Sequence, residues 1–187
     1  MHTSIRTVDP TRPPGWFRRF YAGLAATRLA LFVSRHLNWY IDPWLLRRTG
    51  GRLASTLVFP TGVLETRGAR TGVVRRNAVI YFHDTEHDLG RVIVAASNGG
   101  ALRNPNWYHN LVANPEVTFA GVPMRATVVE DAESDRLWAL ADNVFPAFAR
   151  YRRVAAARGR TIPLVELTSS GRAGARDQKR RDRASDL

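Results

Sequence analysis

Between Leu57 and Thr168 the hydrophobic positions fall in short runs, most of which alternate with polar residues as half-buried strands do. Six runs stand out: Leu57–Thr66, Arg76–His83, Arg91–Ser97, Val117–Phe119, Pro123–Glu130 and Ile162–Thr168. They are rich in Val, Ile, Thr, Tyr and Phe, and Gly, Pro, Asn or Asp fills the gaps between them. The pattern switches to a helical period of about 3.6 residues at Asn106–Ala113 and again across Ala132–Ala157. In the second stretch Leu137, Trp138, Leu140, Ala141, Val144, Phe145 and Phe148 make one apolar stripe. Six strands with one late helix predict a mainly β chain, a small barrel with flanking helices, rather than an alternating βαβ sheet.

The ends read differently. Residues 1–14 are polar and proline-rich and lack the apolar stretch of a secretion signal. An aromatic and aliphatic segment follows from Trp16 to Leu46, interrupted by Arg18, Arg19, Arg28 and Arg35. It is too often charged to span a bilayer and predicts an amphipathic helix, packed on the protein body or on a second subunit, or lying at a membrane interface through residues 16–40. Residues 171–187 are nearly free of apolar groups and predict a disordered basic tail. The expected organisation is therefore 1–52, a polar segment with an amphipathic helix; 53–170, the barrel; and 171–187, the tail.

Composition narrows the chemistry. The 187 residues contain no cysteine, which excludes disulfides, thiolate metal sites and a cysteine nucleophile. The net charge of +12 is concentrated at the ends: residues 53–170 hold 13 basic and 11 acidic groups. A nearly neutral body is a poor nucleic-acid surface, so no nucleic acid is expected as a partner. His83 and His87 lie four apart among acidic residues, but their flanks read as strands, so they predict a polar hairpin turn and no metal site. No G-x-S-x-G elbow is present, and Ser97 has no evident His and Asp partners.

Two stretches do carry a signal. Thr66-Arg67-Gly68-Ala69-Arg70-Thr71-Gly72, followed by Arg75 and Arg76, combines turn glycines with arginines suited to forked contacts with phosphate or carboxylate. It is neither GxxxxGK[ST] nor GxGxxG. The second begins as Ala95-Ala96-Ser97-Asn98-Gly99-Gly100 and opens a short helix at Asn104-Pro105. Small residues there let a flat ring approach bare backbone. Trp107 and Leu111, four apart, read as core, and His109 as a helix-surface residue.

Taken together, Leu64-x-Thr66-x-Gly68-x-Arg70-Thr71-Gly72, Val94-Ala95-Ala96-Ser97-x-Gly99-Gly100 and Asn104-Pro105-x-Trp107-Tyr108-x-Asn110-Leu111-x-Ala113-Asn114-Pro115 resemble the deazaflavin (coenzyme F420)-dependent nitroreductase and quinone reductase family. Arg160-Thr161-Ile162-Pro163-Leu164 fits as well, and the resemblance covers roughly residues 40–168. It implies a split β-barrel of the FMN-binding type, with reduced F420 passing a hydride to a quinone, nitro compound or activated alkene. By position, Ala69, Arg70, Thr71 and Arg75 would hold the phosphate and acidic tail, and Arg76, Asn77, Ala78, Val79 and Ile80 would line the strand beside the cofactor. Ala95, Ala96, Ser97 and Asn98 would run along the ring, with Asn106, Trp107, Tyr108, His109, Asn110 and Phe148 completing its pocket. Ile80, Phe145, Phe148 and Tyr151 would face the acceptor, and Ser97, Tyr151 or bulk water would supply the proton. Relatives that reduce nitroimidazoles carry tyrosines where this chain has Phe145 and Phe148, which favours a bulky apolar acceptor. The resemblance further implies a cytoplasmic protein, at the inner face of the membrane if residues 16–40 touch it, with a homodimer as an option. The alternatives are an FMN-dependent enzyme on the same barrel and a protein that binds F420 or a lipid without catalysis.

Overall fold

The structure, a computed structural model, describes residues 5–11, 59–84 and 88–169. The expected N-terminal amphipathic helix, its membrane contact through residues 16–40 and the tail at 171–187 lie outside these residues.

Six antiparallel strands close into a barrel in the order β1-β2-β3-β6-β5-β4. They are β1 (Thr61–Arg67), β2 (Val74–Asp84), β3 (Asp88–Ala95), β4 (Glu116–Phe119), β5 (Val122–Val128) and β6 (Leu164–Ser169). Each coincides with one of the six alternating runs, and α1 (Asn106–Ala113) falls on the first helical stretch. The late helix is a correction: it is two helices, α2 (Asp131–Val144) and α3 (Ala147–Ala156), broken at Phe145-Pro146. Proline has no N–H to donate and clashes with the preceding turn, so the chain bends there and restarts with Pro146 as cap.

Alternation along the strands divides the apolar residues between two cores. Leu64, Val79, Tyr81, Val92, Val94, Phe119, Met124, Val165 and Leu167 fill the barrel, with Trp107 and Leu111 of α1 joining them. Phe82, Ile93 and Leu164 point outward into a second cluster, covered by Leu137, Trp138, Ala141, Phe145 and Phe148 from α2 and α3. The barrel closes tightly at Gly62, where a Cβ would lie 2.3 Å from the ring of Phe119.

Two features went unread in the sequence. Residues 5–11 are docked on β2: His83 N–H donates to the Val8 carbonyl at 3.1 Å, and Val8 N–H donates to His83 Nδ1 at 3.0 Å. The Tyr81 hydroxyl donates to the Arg6 carbonyl at 2.9 Å. His83 is therefore a buried strand residue, not part of an exposed polar turn; His87 lies outside the described residues. At the same end, Asp84, Arg91, Glu133, Arg136 and Glu166 form a charge network. Arg91 contacts Asp84 at 2.7 Å, both oxygens of Glu133 at 2.7 and 2.8 Å, and Glu166 at 2.6 Å. Arg136 holds both oxygens of Asp84 at 2.9 and 2.7 Å.

Candidate active site

The two stretches singled out in the sequence meet at the opposite end of the barrel, and Asn110 of α1 joins them. Ala69 N–H donates to Asn110 Oδ1 at 3.1 Å, while Asn110 Nδ2 donates to the buried hydroxyl of Thr66 at 3.2 Å. Asn114 adds a longer contact from Nδ2 to the Arg67 carbonyl at 3.4 Å. The turn itself closes through Gly68 N–H to Val73 O at 2.9 Å and Gly72 N–H to Gly68 O at 2.8 Å. A Cβ on Gly68 would fall 2.7 Å from Thr71 Oγ1, which ties glycine there to the closeness of the Thr71 hydroxyl.

Arg67, Arg70 and Arg75 of this turn are exposed, as is Arg103 in the loop before α1, and none of the four forms an ion pair among the described residues. Arg76 differs. Its Nε donates to Glu65 across the β1–β2 pair at 2.7 Å, so half of its charge is already answered. Positive charge without local counter-charge, next to a backbone turn, is a setting for phosphate or carboxylate.

Beside the turn lies the outward face of β2 and β3. Ala78 is exposed there, and Ile80 and Ala95 are half-buried against the outer core together with Tyr151. Phe145 and Phe148 are fully packed; their rings lie 5.0 Å apart, and Tyr151 approaches them at 6.0 and 6.4 Å. Burial raises the pKa of Tyr151, opposed by the nearby charge of Arg150, so the phenol keeps its proton well beyond neutral pH. Asn77 is half-buried at the rim. Val79, Ala96 and Trp107 are buried in the barrel core, so they offer a ligand their backbone at most. Tyr108 is half-buried, and Asn106 and His109 are exposed.

The wall after β3 is unusual backbone. Asn98, Gly99 and Gly100 have φ of 46°, 61° and 77°, three successive residues in the left-handed region. Asn98 spans the loop, its Nδ2 donating to the Arg103 carbonyl at 2.9 Å. Gly100 lies against α3, where a Cβ would sit 2.9 Å from the Tyr151 carbonyl oxygen and 3.3 Å from its Cα. Arg160, between α3 and β6, holds this loop from behind. It donates to Asn104 Oδ1 at 2.9 Å, Ala96 O at 2.6 Å, Ser97 O at 3.3 Å and the Ala101 carbonyl. Sequence reading placed Arg160 in a matching block without giving it a task, because all these partners lie 56 to 64 residues away.

Among the described residues, no cluster of three or more His, Asp or Glu side chains is placed to hold a metal ion. The donor set suits a flat, acidic organic molecule: cations and a hydroxyl at one side, small apolar side chains and bare backbone at the other.

Comparison with known proteins agrees. The family model for F420H(2)-dependent quinone reductase matches residues 39–169. The F420H(2)-dependent quinone reductase Rv1261c of Mycobacterium tuberculosis (strain ATCC 25618 / H37Rv) is 32% identical over 151 residues, covering 73% of this chain and 97% of that protein. Among solved structures, an F420-H2 dependent reductase (FDR-A) is 27% identical with a TM-score of 0.49, over 58% of this chain and 93% of that one. A domain-swapped dimer at 24% identity and TM-score 0.51, covering 68% of this chain and 96% of that one, has the same fold. The match over most of the barrel, with a relative aligned along nearly its whole length, places this chain in the F420H(2)-dependent quinone reductase family.

Proposed function

We propose that this enzyme reduces a bulky, apolar quinone with F420H2, binding the cofactor across the Thr66–Val73 turn, the β2–β3 face and the Ala96–Asn104 wall. The observation that carries the reading is the turn at the head of β2: Asn110 fixes it to α1, its arginines lack local counter-charge, and the strand runs on from it into an apolar, half-buried outward face. F420H2, when bound, supplies the hydride that reduces the acceptor.

The protein's own residues do the rest. Arg70, Thr71 and Arg75 bind the phosphate and acidic tail, with Ala69 holding their turn in place through its N–H to Asn110. Ala78, Ile80 and Ala95 give the ring a close apolar surface, and the backbone of Ala96–Asn98 borders its edge. Phe145 and Phe148 exclude water from the acceptor side. Tyr151 holds a proton at its phenolic oxygen for the reduced product, with the half-buried Ser97 hydroxyl as the second donor within the same wall. Val79 and Trp107 act by shaping the barrel under the site. No helix among the described residues is long and apolar enough to cross a membrane. In this reading a quinone from the bilayer is met at the membrane surface, with residues 16–40 as the contact, and the enzyme is a homodimer.

The test is a titration of oxidised F420, with FMN in parallel, followed by tryptophan fluorescence. Tight F420 binding, weak FMN binding and a loss of about tenfold or more in Arg70→Ala/Thr71→Ala are expected, followed by turnover of menadione with F420H2. Preferential FMN binding would move the chemistry to a flavin. Binding of neither would remove the residue assignments. Deleting residues 1–40 with no change in liposome association or quinone turnover would remove the membrane contact.

A further inference from the structure

We propose that Arg160 is the positioning residue of the cofactor wall: its guanidinium holds the Ala96–Asn104 backbone and, through Gly100, fixes that wall against Tyr151. The inference rests on the cofactor reading above for what the wall meets, and on geometry alone for what Arg160 does.

Three observations support it. The wall contains three consecutive left-handed residues, Asn98 to Gly100, and few bonds of its own: Gly100 N–H to Ser97 O at 2.9 Å, Ala101 N–H to Asn98 O at 3.0 Å, and the Asn98 side chain to Arg103 O. Such backbone persists only when its surroundings hold it. Arg160 supplies that hold with a planar fork on four acceptors, two at the start of the wall and two at its end.

The second observation is what Arg160 lacks. Arg91, Arg136 and Arg152 all lie on carboxylates, whereas the acceptors of Arg160 among the described residues are three carbonyls and one amide. Where an arginine serves only to join elements of this fold, a carboxylate answers it; here the guanidinium is spent wholly on backbone bordering the site. Arg158 Nη1 adds a contact of 3.3 Å to Gly100 O from the same side.

The third is the contact from wall to acceptor side. Gly100 packs directly on the backbone of Tyr151, so a shift of the wall is a shift against that residue. Holding the wall in place before binding removes an ordering cost that the cofactor would otherwise meet.

The experiment compares wild type, Arg160→Ala, Arg160→Lys and Asn104→Ala in two measurements. Hydrogen exchange of the ligand-free protein reads the wall itself, and oxidised F420 titration reads its consequence. In Arg160→Ala, amides of residues 97–103 should exchange about tenfold faster while β2 and β3 keep their protection, and F420 affinity should fall about tenfold. Arg160→Lys should resemble Arg160→Ala, because one ammonium keeps the charge but cannot span four acceptors. Millimolar guanidinium should restore part of the affinity of Arg160→Ala, and methylammonium none. Asn104→Ala, which removes a single acceptor, should lose a few-fold in affinity and decides the matter if Arg160→Ala does not fold. Wild-type affinity in Arg160→Lys would mean that charge, not the fork, is what counts, and would overturn the proposal. Unchanged exchange over residues 97–103 in the variants would overturn it as well. If wild type itself bound no F420, the cofactor reading would fail, while the exchange data would still decide whether Arg160 holds the wall.

Discussion

Where β2 ends and β3 begins, two arginines are enclosed by three carboxylates, and Asp84 is fully buried among them. At the head of β2, Arg67, Arg70 and Arg75 face solvent, and among the described residues none forms an ion pair. Both ends are rich in arginine, yet one is electrically complete and the other is not. Paired charges in a closed network belong to the fold, since removing either member leaves a buried ion uncompensated. Unpaired cations beside a half-buried sheet face are, in the function proposed above, the part a ligand completes. Composition alone does not separate these roles; pairing does.

The comparison breaks most sharply at Arg91. Arg91→Met should cost about 3–5 kcal/mol in urea unfolding, because it takes one of two arginines from Asp84 and Glu133 and an ion pair from Glu166 inside a buried network, while the folded fraction keeps its F420 affinity. A loss equal to that of a surface arginine would show the network to be ornamental. Gly100→Ala should come next, at about 1–2 kcal/mol from the left-handed backbone and the contact with Tyr151, and here affinity and stability should fall together.

Acid should act on the closed end first. Hydrogen bonding to Arg91 holds the Glu133 carboxyl down at about 2, so its contribution is complete above its ordinary pKa of 4.5 and drains away as pH falls from there toward 2. Glu133→Gln should flatten that part of the stability profile. His83 gives a milder, local effect. Burial lowers its pKa, so the neutral ring is favoured in the fold, and its contribution is lost as pH drops below 6.5. Protonated Nδ1 cannot accept from Val8 N–H, so amides of residues 5–11 should exchange faster at pH 5 than at pH 7 after correction for intrinsic rates, with the barrel unaffected. The smallest effect is the sharpest contrast: Arg70→Ala should change stability by less than about 0.5 kcal/mol while weakening F420 binding.

Much of this was legible in sequence, for local reasons. Alternation in Arg76–His83 and Arg91–Ser97 marks strands because side-chain direction flips at each residue, and turn chemistry flags Gly68 and Gly99. The break at Phe145-Pro146 was also readable, since proline within a helical stripe ends the helix, but the strong stripe on either side hid it. Arg91 and Arg160 were not readable. Apart from Asp84, seven residues from Arg91, their partners lie 42 to 75 residues away, and nothing near either arginine distinguishes it from the exposed ones. Residues 5–11 look like polar leader because their apolar content is just Ile5 and Val8, yet both are packed against the core clusters.

The docking of those residues has a consequence for how the chain is held together. Tyr81 grips the chain twice, its hydroxyl on Arg6 O and its N–H on Pro60 O, so the polypeptide departs from and returns to one spot. Covalent connection alone keeps residues 5–11 at a high local concentration beside their dock. Were that covalent connection broken, residues 5–11 would stay at the dock or leave it by mass action. Dilution would then uncover Tyr81 and His83 in a way that dilution of the intact chain never does.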